Sequence, residues 1–266
     1  MQGLDHATPG TLLLLFFLLI PAVYAYINRF QIGKNTHIRR LGGIDAIEEA
    51  VGASTEMGRP IAFTVGLTGL GPVLIACLGV LKNIATKAAV LRTKLIVPQR
   101  TPEVMALVES TLRSAYRSVR KEHEYSDEST PYLSDEQFAF ASGYMGLVQR
   151  EKVGAAFLFG NFAAESLLLA EAGQQIGAYQ IGASVSPEQV PFFVATCDYN
   201  LIGEELFAAS AYLTREPIQV ATLRAQDLGK IILVLVITYG IFIETVRQLV
   251  PGLKLSGIAD FFTRGW

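Results

Sequence analysis

Residues 153–172 read VGAAFLFGNFAAESLLLAEA, and they contain the pattern on which the predicted fold depends. A continuous apolar run over 153–159 meets Gly160 and Asn161, and small and apolar residues follow over 162–172. A strand that is buried on both faces has such a continuous run, whereas a half-exposed strand alternates apolar with polar residues. The stretch therefore predicts a strand, a turn and a helix within an α/β sheet.

The same alternation of predicted strands and helices extends on both sides of this unit. Further strands are predicted over residues 61–67, 94–97, 178–184 and 192–197, and further helices over 73–92, 102–121, 134–149 and 203–213. Strands that alternate with helices of this length are typical of a largely parallel sheet. We therefore expect a Rossmann-like α/β domain with a mostly parallel sheet of about five strands. No helix is predicted between 178–184 and 192–197, which leaves room for one antiparallel pairing at an edge.

The composition indicates that part of the chain avoids water. Of the 266 residues, 51% are hydrophobic and 17% are charged, while soluble domains average about 25% charged residues. The formal net charge of −2 lacks the basic excess of nucleic-acid-binding proteins, so we expect no nucleic acid partner. Only Cys77 and Cys197 are present, too few for a disulfide framework or a cysteine zinc site.

A first membrane anchor is predicted at the N-terminus, within residues 1–30. Residues 11–27, TLLLLFFLLIPAVYAYI, have no charge and are just long enough for a transmembrane helix; the anchoring positions include Leu12, Phe16 and Leu19. A secretory signal peptide is the alternative interpretation, because 22–25 loosely resembles a cleavage site.

The charges around this segment predict its orientation. No Lys or Arg precedes it, whereas basic residues follow it at Arg29, Lys34, Arg39 and Arg40. By the positive-inside rule, the N-terminus should lie outside and the main domain, residues 31–226, in the cytoplasm. The predicted location is therefore the cytoplasmic membrane.

A second anchor is predicted over residues 227–250, followed by a tail over 251–266. The apolar run is IILVLVITYGIFI, and its anchoring positions include Ile231, Val236 and Phe242. The run reaches spanning length when it is extended to 228–250. The alternatives are a helix lying on the membrane surface and a helix packed inside an oligomer.

Six charged residues near the predicted turns form the candidate ligand site: Glu56, Arg59, Glu165, Asp198, Glu204 and Glu205. The carboxyl ends of parallel strands meet at one edge of a sheet, so we expect these residues to share one rim. Carboxylates gathered in this way can bind a divalent metal. In the structural alternative they start helices and brace turns, with Arg59 as the partner of one buried carboxylate.

A glycine-rich stretch, GLTGLG, follows the first strand at Gly66, Gly69 and Gly71. Its spacing differs from the G-x-G-x-x-G fingerprint of dinucleotide-binding domains, and the acidic residue expected about 20 positions later is missing. Close packing of a helix on glycine is favoured over phosphate binding at the helix N-terminus.

Three motifs resemble an uncharacterised family of prokaryotic membrane proteins that has only a domain-of-unknown-function label. They are STEMGRPIAFTVG (54–66), FGNFAAESLLLAEAG (159–173) and CDYNLIGEELFAASAYL (197–213). The resemblance covers about residues 40–245 and implies the architecture but no activity.

The sequence leads to one main functional expectation. We expect a structural or scaffolding protein without catalytic activity and without a cofactor, held in the lipid bilayer and assembled into a homo-oligomer. Small residues along the helices, such as Ala163 and Ala208, favour close contacts between subunits. The alternatives are an enzyme or sensor that uses a divalent metal or another ligand at the rim, and an accessory subunit that binds other membrane subunits.

Overall fold

The computed structural model describes residues 42–249, which fall into two units divided after Arg215. Residues 42–215 are termed the α/β domain. Its elements are α1 (Gly42–Glu56), β1 (Ile61–Gly66), α2 (Pro72–Leu91), β2 (Leu95–Ile96), α3 (Pro102–Ser118), α4 (Gln137–Glu151), β3 (Ala155–Asn161), α5 (Ser166–Gln175), β4 (Tyr179–Ser184), α6 (Val190–Thr196), β5 (Tyr199–Ile202) and α7 (Glu204–Thr214). The second unit is described through α8 (Pro217–Leu249). The predicted N-terminal anchor, with Leu12, Phe16 and Leu19, and the tail 251–266 lie outside the described residues.

The α/β domain contains one five-stranded sheet in the order β2-β1-β3-β4-β5, and all four pairings are parallel. The central strand β3 pairs Phe157 with Phe63 of β1 and with Ile181 of β4. The predicted α/β class, the parallel sheet and the number of strands are confirmed. The allowance for an antiparallel edge is wrong, because β5 joins β4 in parallel through a crossover.

That crossover is the helix α6, which occupies the segment predicted as a strand over 192–197. Short apolar runs fit a strand and a helix equally well, and Pro191 in the first turn favours the helix. The fifth strand begins at Tyr199 instead. The structure also contains α1, which was not predicted, and α5 begins at Ser166 rather than at 162.

Helices cover the sheet on both faces. One core contains α1, α2, α3 and α7 against side chains such as Phe63 and Phe159. The other contains α4, α5 and α6 against Leu158 and Phe162. The segment 122–136 has two short 3-10 turns and then runs beside β2, where the N–H of Val97 donates to the Ser129 carbonyl at 2.6 Å.

The ends of β1 and β3 are fastened to each other. The hydroxyl of Thr68 donates to the carbonyl of Val65 at 2.6 Å and accepts the N–H of Asn161 at 2.7 Å. Gly160 makes this possible with φ 138°, and a Cβ there would lie 2.2 Å from the Thr68 hydroxyl oxygen and 2.6 Å from the Val65 carbonyl oxygen. Both the backbone conformation and the space therefore require glycine at this position.

Four helices end on a cationic residue in the left-handed conformation: Arg92, Arg120, Lys152 and Arg215, with φ between 50° and 59°. At the first three, the N–H of the following residue closes the helix by donating to a carbonyl five positions before it. Glycine is the usual residue at such a position because a side chain there costs about 1–2 kcal/mol.

We predict that Gly160→Ala destabilises the domain by at least about 2 kcal/mol, because it combines left-handed strain with a clash against backbone. The control is Gly146→Ala in α4, where a Cβ meets nothing within 4 Å. There alanine should stabilise the helix by about 0.5–1 kcal/mol. Chemical denaturation of the purified chain measures both, and equal effects would contradict the fastening of β1 to β3.

Candidate functional site

The six predicted site residues lie at two opposite edges of the sheet. The carboxyl edge, where the strands end, holds Glu165 after β3 and Glu204 and Glu205 after β5. The amino edge, where the strands begin, holds Glu56 and Arg59 before β1 and Asp198 before β5. The expectation that all six share one rim is therefore wrong. It failed because Asp198 was placed after a strand that is in fact the helix α6, and because Glu56 and Arg59 precede their strand.

Glu165 is the one fully buried carboxylate among the described residues, with 0% of its surface exposed. It lies immediately before α5, and its carboxylate accepts hydrogen bonds from the side-chain amide of Gln137 and from the N–H of Ala163, at 3.1 and 3.2 Å for the two oxygens. Burial without such donors would be costly. The prediction that Arg59 pairs with a buried carboxylate is wrong for Glu165, because Arg59 lies at the opposite edge of the sheet.

Glu204 and Glu205 lie in the first turn of α7, where carboxylates interact favourably with the helix dipole. Glu205 also accepts the N–H of Ile202 at 3.1 Å. Its carboxylate therefore closes the turn between β5 and α7. This contact fits the structural interpretation of these acids.

Asp198 braces two strands at the amino edge. Its carboxylate accepts the N–H of Gln180 at 2.7 Å, and its own N–H donates to the Gln180 carbonyl at 2.9 Å. The Gln180 side chain donates in turn to the carbonyls of Ala170, at 2.8 Å, and Thr196, at 3.3 Å. These hydrogen bonds link β4, α5 and α6.

Glu56 and Arg59 stand at the junction of α1 and β1. The hydroxyl of Ser54 donates to the Arg59 carbonyl at 2.8 Å, and the N–H of Arg59 donates to the Ser54 carbonyl at 3.0 Å. Within the described residues, the Arg59 guanidinium makes no ion pair. The backbone of Arg59, rather than its charge, therefore joins α1 to the sheet.

The direction of the sheet order changes between β1 and β3, which is where open α/β sheets usually bind ligands. Here the space is filled by protein: Phe162 packs over Gly66, where a Cβ would meet its ring at 2.4 Å, and Thr68 joins the two loops. The close contact at Gly66 comes from the side chain of Phe162, which lies in the loop before α5, and not from a helix as expected. Gly69 and Gly71 make no close contact of either kind, because a Cβ at either meets nothing within 4 Å.

The chemistry available from these groups is limited. Among residues 42–249, no three or more His, Cys, Asp or Glu side chains converge as metal ligands would. Burial raises the pKa of the Cys197 thiol to about 12, so it stays protonated and weakly nucleophilic near neutral pH. Burial likewise raises the pKa of Tyr144.

The residues that organise this region, Thr68, Gln137 and Gln180, were not identified from the sequence. All three are uncharged, and each acts on a partner distant in sequence. A sequence pattern could have flagged only the buried carboxylate that needs a donor, and not the donor itself.

We predict that Gln137→Ala destabilises the domain by about 2 kcal/mol, because it leaves a buried carboxylate with a single donor group. The control is Gln149→Ala on the same helix, since Gln149 is exposed and, within residues 42–249, its side chain bonds only to Gln175, at 3.2 Å. The control should change the free energy of unfolding by less than about 0.5 kcal/mol. Urea denaturation of both variants tests this difference, and a mild effect of Gln137→Ala would contradict the role of this amide.

Comparison with known proteins adds one match. The family model described as a domain of unknown function, DUF6754, matches residues 6–253 of the 266. No curated protein and no solved structure matches the chain significantly. The resemblance noted on the three sequence motifs is confirmed at the level of the family. The chain belongs to the family of the domain of unknown function DUF6754.

Proposed function

We propose that this protein is a membrane-anchored structural or scaffolding protein without catalytic activity that presents its α/β domain in the cytoplasm and assembles into homo-oligomers. The observation that carries the proposal is the surface of α8. Nine large apolar side chains are exposed there: Ile231, Leu233, Val234, Leu235, Val236, Ile237, Tyr239, Ile241 and Phe242. Such a continuous apolar surface requires a cover of lipid or protein.

The dimensions of α8 favour lipid. Its apolar part, Thr222–Ile243, has 22 residues, which at 1.5 Å per residue spans about 33 Å, close to the hydrocarbon thickness of a bilayer. The exposed side chains include Ile231, Val236 and Phe242, which the sequence assigned to the anchor.

The core helix α2 provides an internal comparison. It passes the same test of length and composition as α8, but 56% of its apolar window is buried, against 6% for α8. Within the α/β domain, α2 uses its apolar residues to pack against the sheet and α7. Only α8 therefore needs an apolar solvent among the described helices.

Self-assembly is supported by the carboxyl edge. Large apolar side chains are exposed at this edge beyond the sheet: Leu70, Ile75, Tyr132, Phe138, Leu167 and Ile202. Acidic residues such as Asp135 and Glu136 lie among them, which disfavours insertion into an anionic membrane. A second copy of the same domain covers such a surface without placing carboxylates against lipid phosphates.

A site for a ligand or a divalent metal has weaker support. It would need the six predicted residues on one rim, whereas Glu56, Arg59 and Asp198 lie at the amino edge. The remaining acids have structural partners or positions: Glu165 is bonded to Gln137, and Glu205 closes the turn before α7. We therefore place scaffolding ahead of an enzyme or sensor.

We predict that the full chain stays in the membrane after alkaline carbonate extraction and that its N-terminus and its α/β domain lie on opposite sides of the membrane. A membrane-impermeant maleimide added to intact cells should label Gln2→Cys and should leave His123→Cys unlabelled until the cells are opened. His123 is a suitable reporter because its side chain is 79% exposed. Extraction into the soluble fraction would overturn the anchoring, and labelling of His123→Cys from outside would overturn the cytoplasmic location.

We predict that the detergent-purified chain has a mass of two or more copies by light scattering, and that Leu70→Glu with Ile75→Glu reduces it to one copy. New charges at an apolar contact destabilise it, because they are buried without partners. The control is Val194→Glu, which adds a charge at an exposed position on α6. A single copy in the unchanged protein contradicts self-assembly; co-purification with a different membrane protein would instead favour an accessory subunit.

A further inference from the structure

The amino edge of the α/β domain collects positive charge from three helix ends. Three short segments, 92–94, 117–124 and 150–152, contain seven Lys and Arg against three Glu. With the other charged residues near this edge, Arg59, Glu56, Asp198 and Glu128, the surplus is two positive charges in a chain whose net charge is −2. The segments are joined by direct contacts: Lys121 donates to the Ala89 carbonyl at the end of α2 at 2.8 Å, and Lys94 pairs with Glu151 at 2.8 Å.

Most of this charge faces solvent. The side chains of Arg92, Arg117 and Arg150 are 78%, 73% and 71% exposed. Arg120 and Lys152 are also exposed, and neither forms an ion pair within the described part of the chain. The surplus is therefore available to an anionic partner.

The backbone has a strained, left-handed conformation at three of these cationic residues. Arg92, Arg120 and Lys152 occupy left-handed positions that glycine fills at no steric cost. The helix dipole does not explain all of them, because α3 and α4 already have Arg117 and Arg150 in their last turns. Strain of this kind persists where a side chain serves another purpose.

Apolar side chains lie beside the cations. Val90 and Leu91, immediately before Arg92, are 56% and 47% exposed, and Met57 is exposed at the end of α1 near Arg59. Aliphatic groups next to Lys and Arg match the boundary between lipid headgroups and acyl chains. A nucleic acid backbone would gain nothing from these aliphatic groups.

We infer that the amino edge is a docking surface for the anionic phosphate headgroups of the membrane that holds the chain. This inference rests on the proposed membrane anchoring and adds which edge of the domain meets the lipid. The cations contact the phosphates, while Val90 and Leu91 lie against the upper acyl chains. The carboxyl edge is then left facing away from the bilayer.

The test uses the full chain in vesicles, with the domain facing outwards, made with or without phosphatidylglycerol. A fluorophore is attached at His123→Cys on the amino edge or at Asp135→Cys on the carboxyl edge, and energy transfer to a headgroup-labelled lipid is measured. Burial raises the pKa of both native thiols, Cys77 and Cys197, which favours selective labelling of the introduced cysteine.

We expect transfer from position 123 to exceed that from position 135 at least about twofold in anionic vesicles, and the difference to shrink with added salt. Arg120→Gln with Lys152→Gln should remove most of the difference. The matched control, Lys82→Gln with Arg113→Gln, changes the charge equally at exposed positions within α2 and α3, away from the ends of these helices, and should retain the difference.

A second pair of substitutions distinguishes a loss of lipid docking from a loss of folding. Arg120→Gly with Lys152→Gly removes the same charges while relieving the left-handed strain, so the melting temperature should rise as lipid docking falls. A lower melting temperature would show that the cations serve stability, and unchanged docking would show that they do not meet lipid; either result overturns the inference.

The outcomes separate the two proposals. If the chain fails to float with vesicles of any composition, the anchoring itself fails. If it floats but positions 123 and 135 show equal transfer in both lipids, docking is overturned and anchoring stands. If a single-stranded RNA added to anionic vesicles abolishes the difference at equimolar concentration, the edge prefers nucleic acid and lipid is rejected as its occupant.

Discussion

The central strand β3 constrains the rest of the α/β domain. It is hydrogen-bonded on both sides, to β1 and β4, and all its side chains except Asn161 are buried. A strand in that position needs apolar cover above and below the sheet, which only crossover helices can supply in a parallel arrangement. The two cores, the helix lengths and the positions of both sheet edges follow from that requirement.

Much of this architecture could be predicted from the sequence because two-sided burial leaves a direct pattern. The run over 153–159 is uninterrupted and the run over 61–67 has Thr64 as its one polar residue, and both predicted strands agree with the structure. The strand predicted over 192–197 is wrong for a physical reason: a short apolar run is compatible with a buried strand and with a helix, and both Pro191 and the pairing of the following strand with β4 favour the helix. The predicted location of Asp198 at the carboxyl edge is wrong for the same reason.

The contacts of the candidate site were less accessible from sequence. A buried Glu165 could be anticipated from its apolar neighbours, but its donor, Gln137, is 28 positions away and polar residues at the start of a helix are common. The same holds for Thr68, whose hydroxyl bridges β1 and β3 across 93 positions. Such pairs are set by the topology of the sheet, which brings loops that are distant in sequence together.

The length of α8 has a consequence for the kind of membrane that suits it. Its 33 residues correspond to about 50 Å of helix, well beyond the roughly 30 Å of a hydrocarbon layer. The first part of α8 contains Arg224, Asp227 and Lys230, whereas residues 231–243 have no charge, so the excess length lies on the polar side. The uncharged part alone gives about 20 Å of helix, so a hydrocarbon layer of about 30 Å also takes in neighbouring turns that contain charged residues. A thinner bilayer would bury fewer of these charges, and bilayer thickness would therefore help to select the compartment in which the protein accumulates.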